Sequence, residues 1–176
     1  MKKSLGARPP NGLNRRTAIA GSAGLAALSG ASLTYAGPLD PKADLSFVNP
    51  AGLRTPRGYS QMAVIRSGRL VFFAGQTPVG TSGEVVGPGD FRAQLEQVFS
   101  NLDIGIRSVG GTFSNIIKLN YYCAESVDPA LLRHVNEVRD RFTNTTSPPI
   151  STFVFVSRLA RPEWLIEIEA VGVLPE

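Results

Sequence analysis

Apolar and polar positions change their period several times along the chain, and each change marks an element. Residues 69–75 (RLVFFAG) form a dense apolar run of strand length, with a shorter strand-like run at residues 61–65 across a turn at Gly68. Residues 76–89 hold four Gly and two Pro and form a loop. From Phe91 the apolar positions Phe91, Leu95, Val98, Phe99, Leu102 and Ile106 fall three and four apart, which predicts one buried helical face. Asp90 is suited to cap that helix and Gly110-Gly111 to end it, giving roughly 20 residues and about 30 Å of length. Residues 116–123 are strand-like. Asp128 and Pro129 then open a second amphipathic helix, with Leu131, Leu132, Val135, Val138 and Phe142 on its apolar face. After a loop at 143–149, two more strands are expected near 151–157 and 165–173. Residues 37–48 offer Leu45, Phe47 and Val48 as anchors and are expected to be an extended lead-in to a single domain at 49–176. The resulting order, β-β-α-β-α-β-β, predicts an α/β (α+β) fold in which two helices cover one face of a sheet.

The last two strands carry more than fold information. Phe153, Val154, Phe155 and Val156 are apolar on both sides, so either subunits pack sheet against sheet or this is a central strand covered on both faces within one chain. In the final strand Glu167 and Glu169 alternate with Ile166 and Ile168, which places both carboxylates on one face. Two acids in the middle of an apolar strand either belong to a site with hydrogen-bond donors and shifted pKa values, or meet solvent or a subunit rim.

Composition narrows the chemistry. A chain of 176 residues accommodates one ordinary domain; its single Cys123 and single His134 exclude an internal disulfide, a cysteine-based zinc cluster and a two-histidine metal centre. The formal charge of +4 is unevenly placed. Residues 1–36 contain Lys2, Lys3, Arg8, Arg15 and Arg16 and no acid, whereas residues 37–176 contain 13 basic and 14 acidic side chains. The folded body is close to neutral, which argues against a nucleic-acid partner. The basic start, the Arg15-Arg16 pair and the small-residue apolar run at 18–33 resemble a twin-arginine signal peptide over 1–36, which implies a periplasmic or secreted protein; a disordered basic tail is the alternative. Gly21, Gly24 and Gly30 interrupt the run, so no stable membrane span is expected.

Gly58-Tyr59-Ser60-Gln61, Val71-Phe72-Phe73-Ala74-Gly75-Gln76, Asn101, Pro148-Pro149 and Ile166-Glu167-Ile168-Glu169-Ala170 together resemble the RidA family, also called YjgF/YER057c/UK114. The resemblance runs from about Asn49 to Val173. It implies a chorismate-mutase-like fold and a homotrimer whose sheets form a central barrel, with ligand pockets between subunits. It further implies hydrolysis of reactive enamines and imines to carbonyl products and ammonia, without a cofactor or metal. On this resemblance Tyr59 lines the pocket, Gly75 lets the backbone approach the ligand, and Glu167 orients the attacking water.

One position departs from the family pattern. Active members carry an arginine just after the proline-containing loop to pair with a substrate carboxylate; here the aligned residue is Ser151, or Ile150 after a shift of one. Ser151 supplies one hydrogen bond and no charge, or serves only to start a strand. Arg158 lies seven residues further along, roughly 23 Å if extended, and cannot substitute within its own subunit. The expected partner is therefore a small metabolite, an imine, enamine or carbonyl compound. The alternative function is a non-catalytic trimeric binding protein. Cys123, at the end of an apolar strand, is expected to be an inert buried thiol, and His134 a surface residue.

Overall fold

The computed structural model describes residues 44–176. Six strands, β1 (Leu45–Val48), β2 (Met62–Ile65), β3 (Arg69–Phe72), β4 (Ile116–Ala124), β5 (Ile150–Val156) and β6 (Ile166–Leu174), accompany helices α1 (Phe91–Ser108) and α2 (Arg133–Arg139). β1 pairs antiparallel with β2 in a two-stranded ribbon, so part of the expected lead-in is a strand. Four strands form the main sheet in the order β3-β6-β4-β5, with β4 and β5 parallel and the other pairs antiparallel. The single-chain fold is thus α+β with a mixed sheet and two helices.

Helix α1 has the ends its sequence predicts. The Asp90 carboxylate accepts from the Ala93 N–H at 3.0 Å. At the other end Gly110, with φ +86°, donates to the Arg107 carbonyl and Gly111 to the Ile106 carbonyl, a Schellman stop. All six residues of the predicted stripe are buried. Gln94 is buried with them and fully bonded: its Nε2 donates to the Gly87 and Glu163 carbonyls, and its Oε1 accepts from the Leu165 N–H. This amide ties α1 to the turn that feeds β6.

The second helix is shorter than its apolar spacing predicts. Pro129–Leu132 form a 3-10 turn capped by Asp128, and the α-helical part ends at Arg139. Past Arg139 the chain tightens into bonds three residues back, from the Arg141 N–H to the Val138 carbonyl and from the Phe142 N–H to the Arg139 carbonyl. Phe142, beyond the helix, joins Phe99 and Phe113 in a three-ring cluster with centroids 5.3 to 5.6 Å apart.

Burial alternates along the two central strands. Leu119, Tyr121 and Cys123 of β4, with Ile166, Ile168 and Ala170 of β6, join the core beneath the helices. The opposite face carries Lys118, Asn120 and Tyr122 beside Glu167 and Glu169. β5 is an edge strand, which removes the reading of a central strand covered on both faces. Phe153 stacks on Tyr121 at 5.5 Å, while Val154 and Phe155 stay exposed. Among the described residues no helix is long and apolar enough to cross a membrane.

Candidate active site

Strand β3 continues past its regular end into the site. The Phe73 N–H donates to the Ala170 carbonyl, and Gln76 exchanges both backbone bonds with Ile168, at 2.8 and 3.0 Å. This pairing carries Gly75 alongside Glu167. A Cβ at position 75 would lie 1.9 Å from Oε1 of Glu167 and 2.8 Å from its Cδ, so the carboxylate occupies the space a side chain would need. A residue larger than Gly75 would displace the carboxylate from this place. Asn101, on α1, braces the next loop by donating from Nδ2 to the carbonyls of Thr77 and Val79, while its Oδ1 accepts from Gln97.

Two carboxylates two residues apart hold opposite electrostatic positions. Asn120 and Tyr122 donate to Oε1 of Glu169 at 2.6 and 3.1 Å, and with Lys118 nearby they hold its pKa below the usual carboxylate value. Glu167 has no hydrogen-bond donor among the described residues; partial burial, and then the charge of Glu169, push its pKa up. Such a divergence suits one group to stay ionised and the other to take up and return a proton. A depression of about 240 Å³ beside Glu169 is lined by Phe72, Lys118, Asn120 and Val171 among others. Sequence reasoning singled out both acids but missed Lys118, Asn120 and Tyr122. Their signal was present as a period of two along β4, opposite Leu119, Tyr121 and Cys123.

Tyr59 belongs to a second cluster, next to the start of β5. Ser60, almost fully buried, donates from its N–H to the Pro149 carbonyl and from Oγ to the Pro148 carbonyl, and pairs in parallel with Ile150. Tyr59 is thereby pinned at a cleft of about 300 Å³ bounded by residues of the 49–59 segment and by Thr145, Thr146 and Pro148. Ser151 stands in register with Leu119, and Glu167 with Tyr122, so the two side chains project from opposite faces. They are separated by about 10 Å along the strands and about 10 Å across them. One chain therefore brings Gly75 to Glu167 and Tyr59 to the approach of β5, but does not unite the two groups. Arg158 is exposed beyond the end of β5.

The remaining candidates stay outside both clusters. Cys123 is buried and its thiol is pushed up to about 11 by desolvation, unlike an activated nucleophile. His134 is less exposed than expected, with its side chain 14% accessible and Nδ1 2.9 Å from Glu137 Oε2. Among the described residues no three acidic, His or Cys side chains cluster to hold a metal.

Comparison with known proteins identifies the family. The family model described as Endoribonuclease L-PSP matches residues 51–174. A RutC family protein of Pyrococcus horikoshii is 36% identical over 115 residues, which cover 65% of this chain and 85% of that protein. Among solved structures, the Rid-family protein YyfB of Yersinia pestis superposes with a TM-score of 0.68 at 34% identity, over 74% of this chain and 98% of its own. RidA from an Antarctic Psychrobacter gives a TM-score of 0.54 at 27% identity, over 72% and 94% of the two chains. The chain belongs to the RidA/YjgF/YER057c/UK114 family.

Proposed function

We propose that this protein hydrolyses small reactive imines and enamines to carbonyl compounds and ammonia, with Glu167 as the proton-transfer and water-orienting group. The observation that carries this is the Glu167 carboxylate lying over the bare backbone of Gly75, with a raised pKa beside an ionised Glu169. In the proposed reaction water oxygen bonds to the imine carbon as its proton passes to Glu167, and nitrogen takes up a proton. The C–N bond of the carbinolamine then breaks as the hydroxyl proton passes, through Glu167, to the departing nitrogen, so that the carbonyl forms and ammonia leaves. An enamine enters the same path after protonation on carbon.

A homotrimer completes the proposed site. Tyr59 and Ser151 of one subunit would meet Gly75 and Glu167 of the next, which resolves their separation within one chain. Leu70 and Phe72 on the open face, 50% and 74% exposed, supply apolar surface for such an assembly. The ligand is a small metabolite; a nucleic-acid role has little electrostatic support, given 13 basic against 14 acidic side chains over 37–176. The proposed twin-arginine signal lies outside the described residues. Cell fractionation of an Arg15→Lys, Arg16→Lys variant tests it: retention in the cytoplasm is expected, and unchanged export refutes it.

The deciding measurement is ammonia release from freshly generated 2-iminobutanoate by the full chain and by Glu167→Gln. Release that drops to the buffer rate in the variant is expected. Equal release from both proteins rules out the role of Glu167, and none from either favours the non-catalytic binding protein, a reading supported by the uncharged Ser151.

A further inference from the structure

The Tyr59 cleft is built from uncharged groups. Among the described residues that line it none is acidic or basic. Its polar side chains are those of Asn49, Thr55, Tyr59, Thr145 and Thr146. The four hydroxyls make no hydrogen bond to another described residue, so each can donate to a ligand or accept from it.

Cations close by in the fold are turned elsewhere. Arg139 is 8% exposed and lies behind the Gly58 main chain, where a Cβ would stand 2.6 Å from its Nη2. Its Nε and Nη2 both donate to Oδ1 of Asp140, at 2.9 and 2.6 Å. Arg54 and Arg57 belong to the segment that bounds the cleft, but both are exposed and neither lines it. Ile150 and Ser151, where β5 starts, carry no charge.

The other half of the proposed site is acidic. Glu167 and Glu169 share the open face of β6, and Lys118, on β4, already acts on the charge of Glu169. A ligand carboxylate placed between the halves would exchange water for neutral hydroxyls on one side and two acids on the other, a costly transfer. An uncharged imine loses less hydration, and its nitrogen, once protonated, is favoured by both acids.

We infer that the substrate is an imine or enamine without a carboxylate, hydrolysed to an uncharged aldehyde or ketone. The inference rests on the hydrolase reading and on the joining of Glu167 to the Tyr59 cleft, and it names the class of compound that the joined site accepts. 2-Iminobutanoate is then turned over, but slowly.

Two imines that differ by a carboxylate test this with the full chain: butan-1-imine, formed from butylamine by a flavin amine oxidase, and 2-iminobutanoate, formed from 2-aminobutanoate by a flavin amino-acid oxidase. The readout is loss of semicarbazide-trapped imine, each rate divided by its rate in buffer. The enhancement for butan-1-imine should exceed that for the acid by about tenfold or more. Thr145→Arg, at an exposed position that lines the cleft, should raise the enhancement for the acid several-fold. Equal enhancement, preference for the acid, or an unchanged acid rate in Thr145→Arg overturns the inference. So does an acid rate that falls in Arg54→Gln or Arg57→Gln, since a charge would then be reaching the ligand. If neither imine is hydrolysed faster than in buffer, the hydrolase reading fails and calorimetric titration decides, with 2-oxobutanamide against 2-oxobutanoate, alike in shape and different in charge. Tighter binding of the amide keeps the inference of an uncharged ligand. An acid bound equally or more tightly, or neither compound bound at millimolar concentration, overturns it.

Discussion

Gly75→Ala separates the stance of the Glu167 carboxylate from the stability of the fold. The added Cβ would stand 1.9 Å from Oε1, and real Cβ contacts under 3.0 Å essentially do not occur, so the carboxylate must retreat by ~1 Å or more. A displacement of that size at a reacting group costs on the order of a hundredfold in rate, or about 2.7 kcal/mol of transition-state stabilisation. Stability should change little. Gly75 has no positive φ, so Ala recovers about 0.5 to 1 kcal/mol of unfolded-chain entropy, against a crowding cost of about 1 kcal/mol while Glu167 swings aside. The assay is the initial rate of ammonia release from 2-iminobutanoate beside a thermal melt. In a Glu167→Asp background, whose carboxylate is one methylene shorter, the same substitution should cost far less additional rate. A Gly75→Ala protein with the wild-type rate refutes the reasoning, and one destabilised by more than about 3 kcal/mol shows that the glycine serves packing instead.

Glu167→Gln should be more stable than wild type at neutral pH. The folded pKa of Glu167 is raised, so its favourable contribution is full below the ordinary value of 4.5 and is lost as pH rises through the folded pKa. Urea unfolding at neutral pH and again below 4.5 should show the gap close, and a less stable variant at neutral pH contradicts the assigned shift. Gln94→Leu should cost about 2 to 4 kcal/mol, because it strands the Leu165 N–H and the Gly87 and Glu163 carbonyls; denaturant melts that move by less than about 1 kcal/mol would show that water replaces the amide. Phe72→Asp, on the exposed face of β3, should shift the proposed trimer to monomer in sedimentation velocity, and an unchanged mass would place the assembly surface elsewhere.

Local chemistry was legible wherever neighbouring residues sufficed to specify it. The cap at Asp90, the stop at Gly110-Gly111 and the stripe from Phe91 to Ile106 each depend on residues within a turn or two of helix, and all appear as expected. The shared face of Glu167 and Glu169 follows from strand alternation alone. The second helix was overextended because apolar spacing continues to Phe142, while the switch to bonds three residues back at Arg141 and Phe142 leaves no periodic mark.

Pairing across the chain decided the rest. Leu45–Val48 becomes a strand only because Met62–Ile65 lies opposite, and β5 is an edge strand only because β4 has β6 on its other side. Whether two acids two residues apart share a protonation state depends on donors from β4, about fifty residues earlier, and the sequence has no means of announcing that Asn120 and Tyr122 choose Glu169 over Glu167. Nothing in the helix pattern sets Arg139 apart, and only the fold places its guanidinium against Gly58, some eighty residues away. Helix ends and strand faces are governed by short-range sterics and hydrogen bonds, so sequence alone determined them. The electrostatics of the site arise from groups brought together through non-local pairing, so only the tertiary structure decided which carboxylate holds its charge.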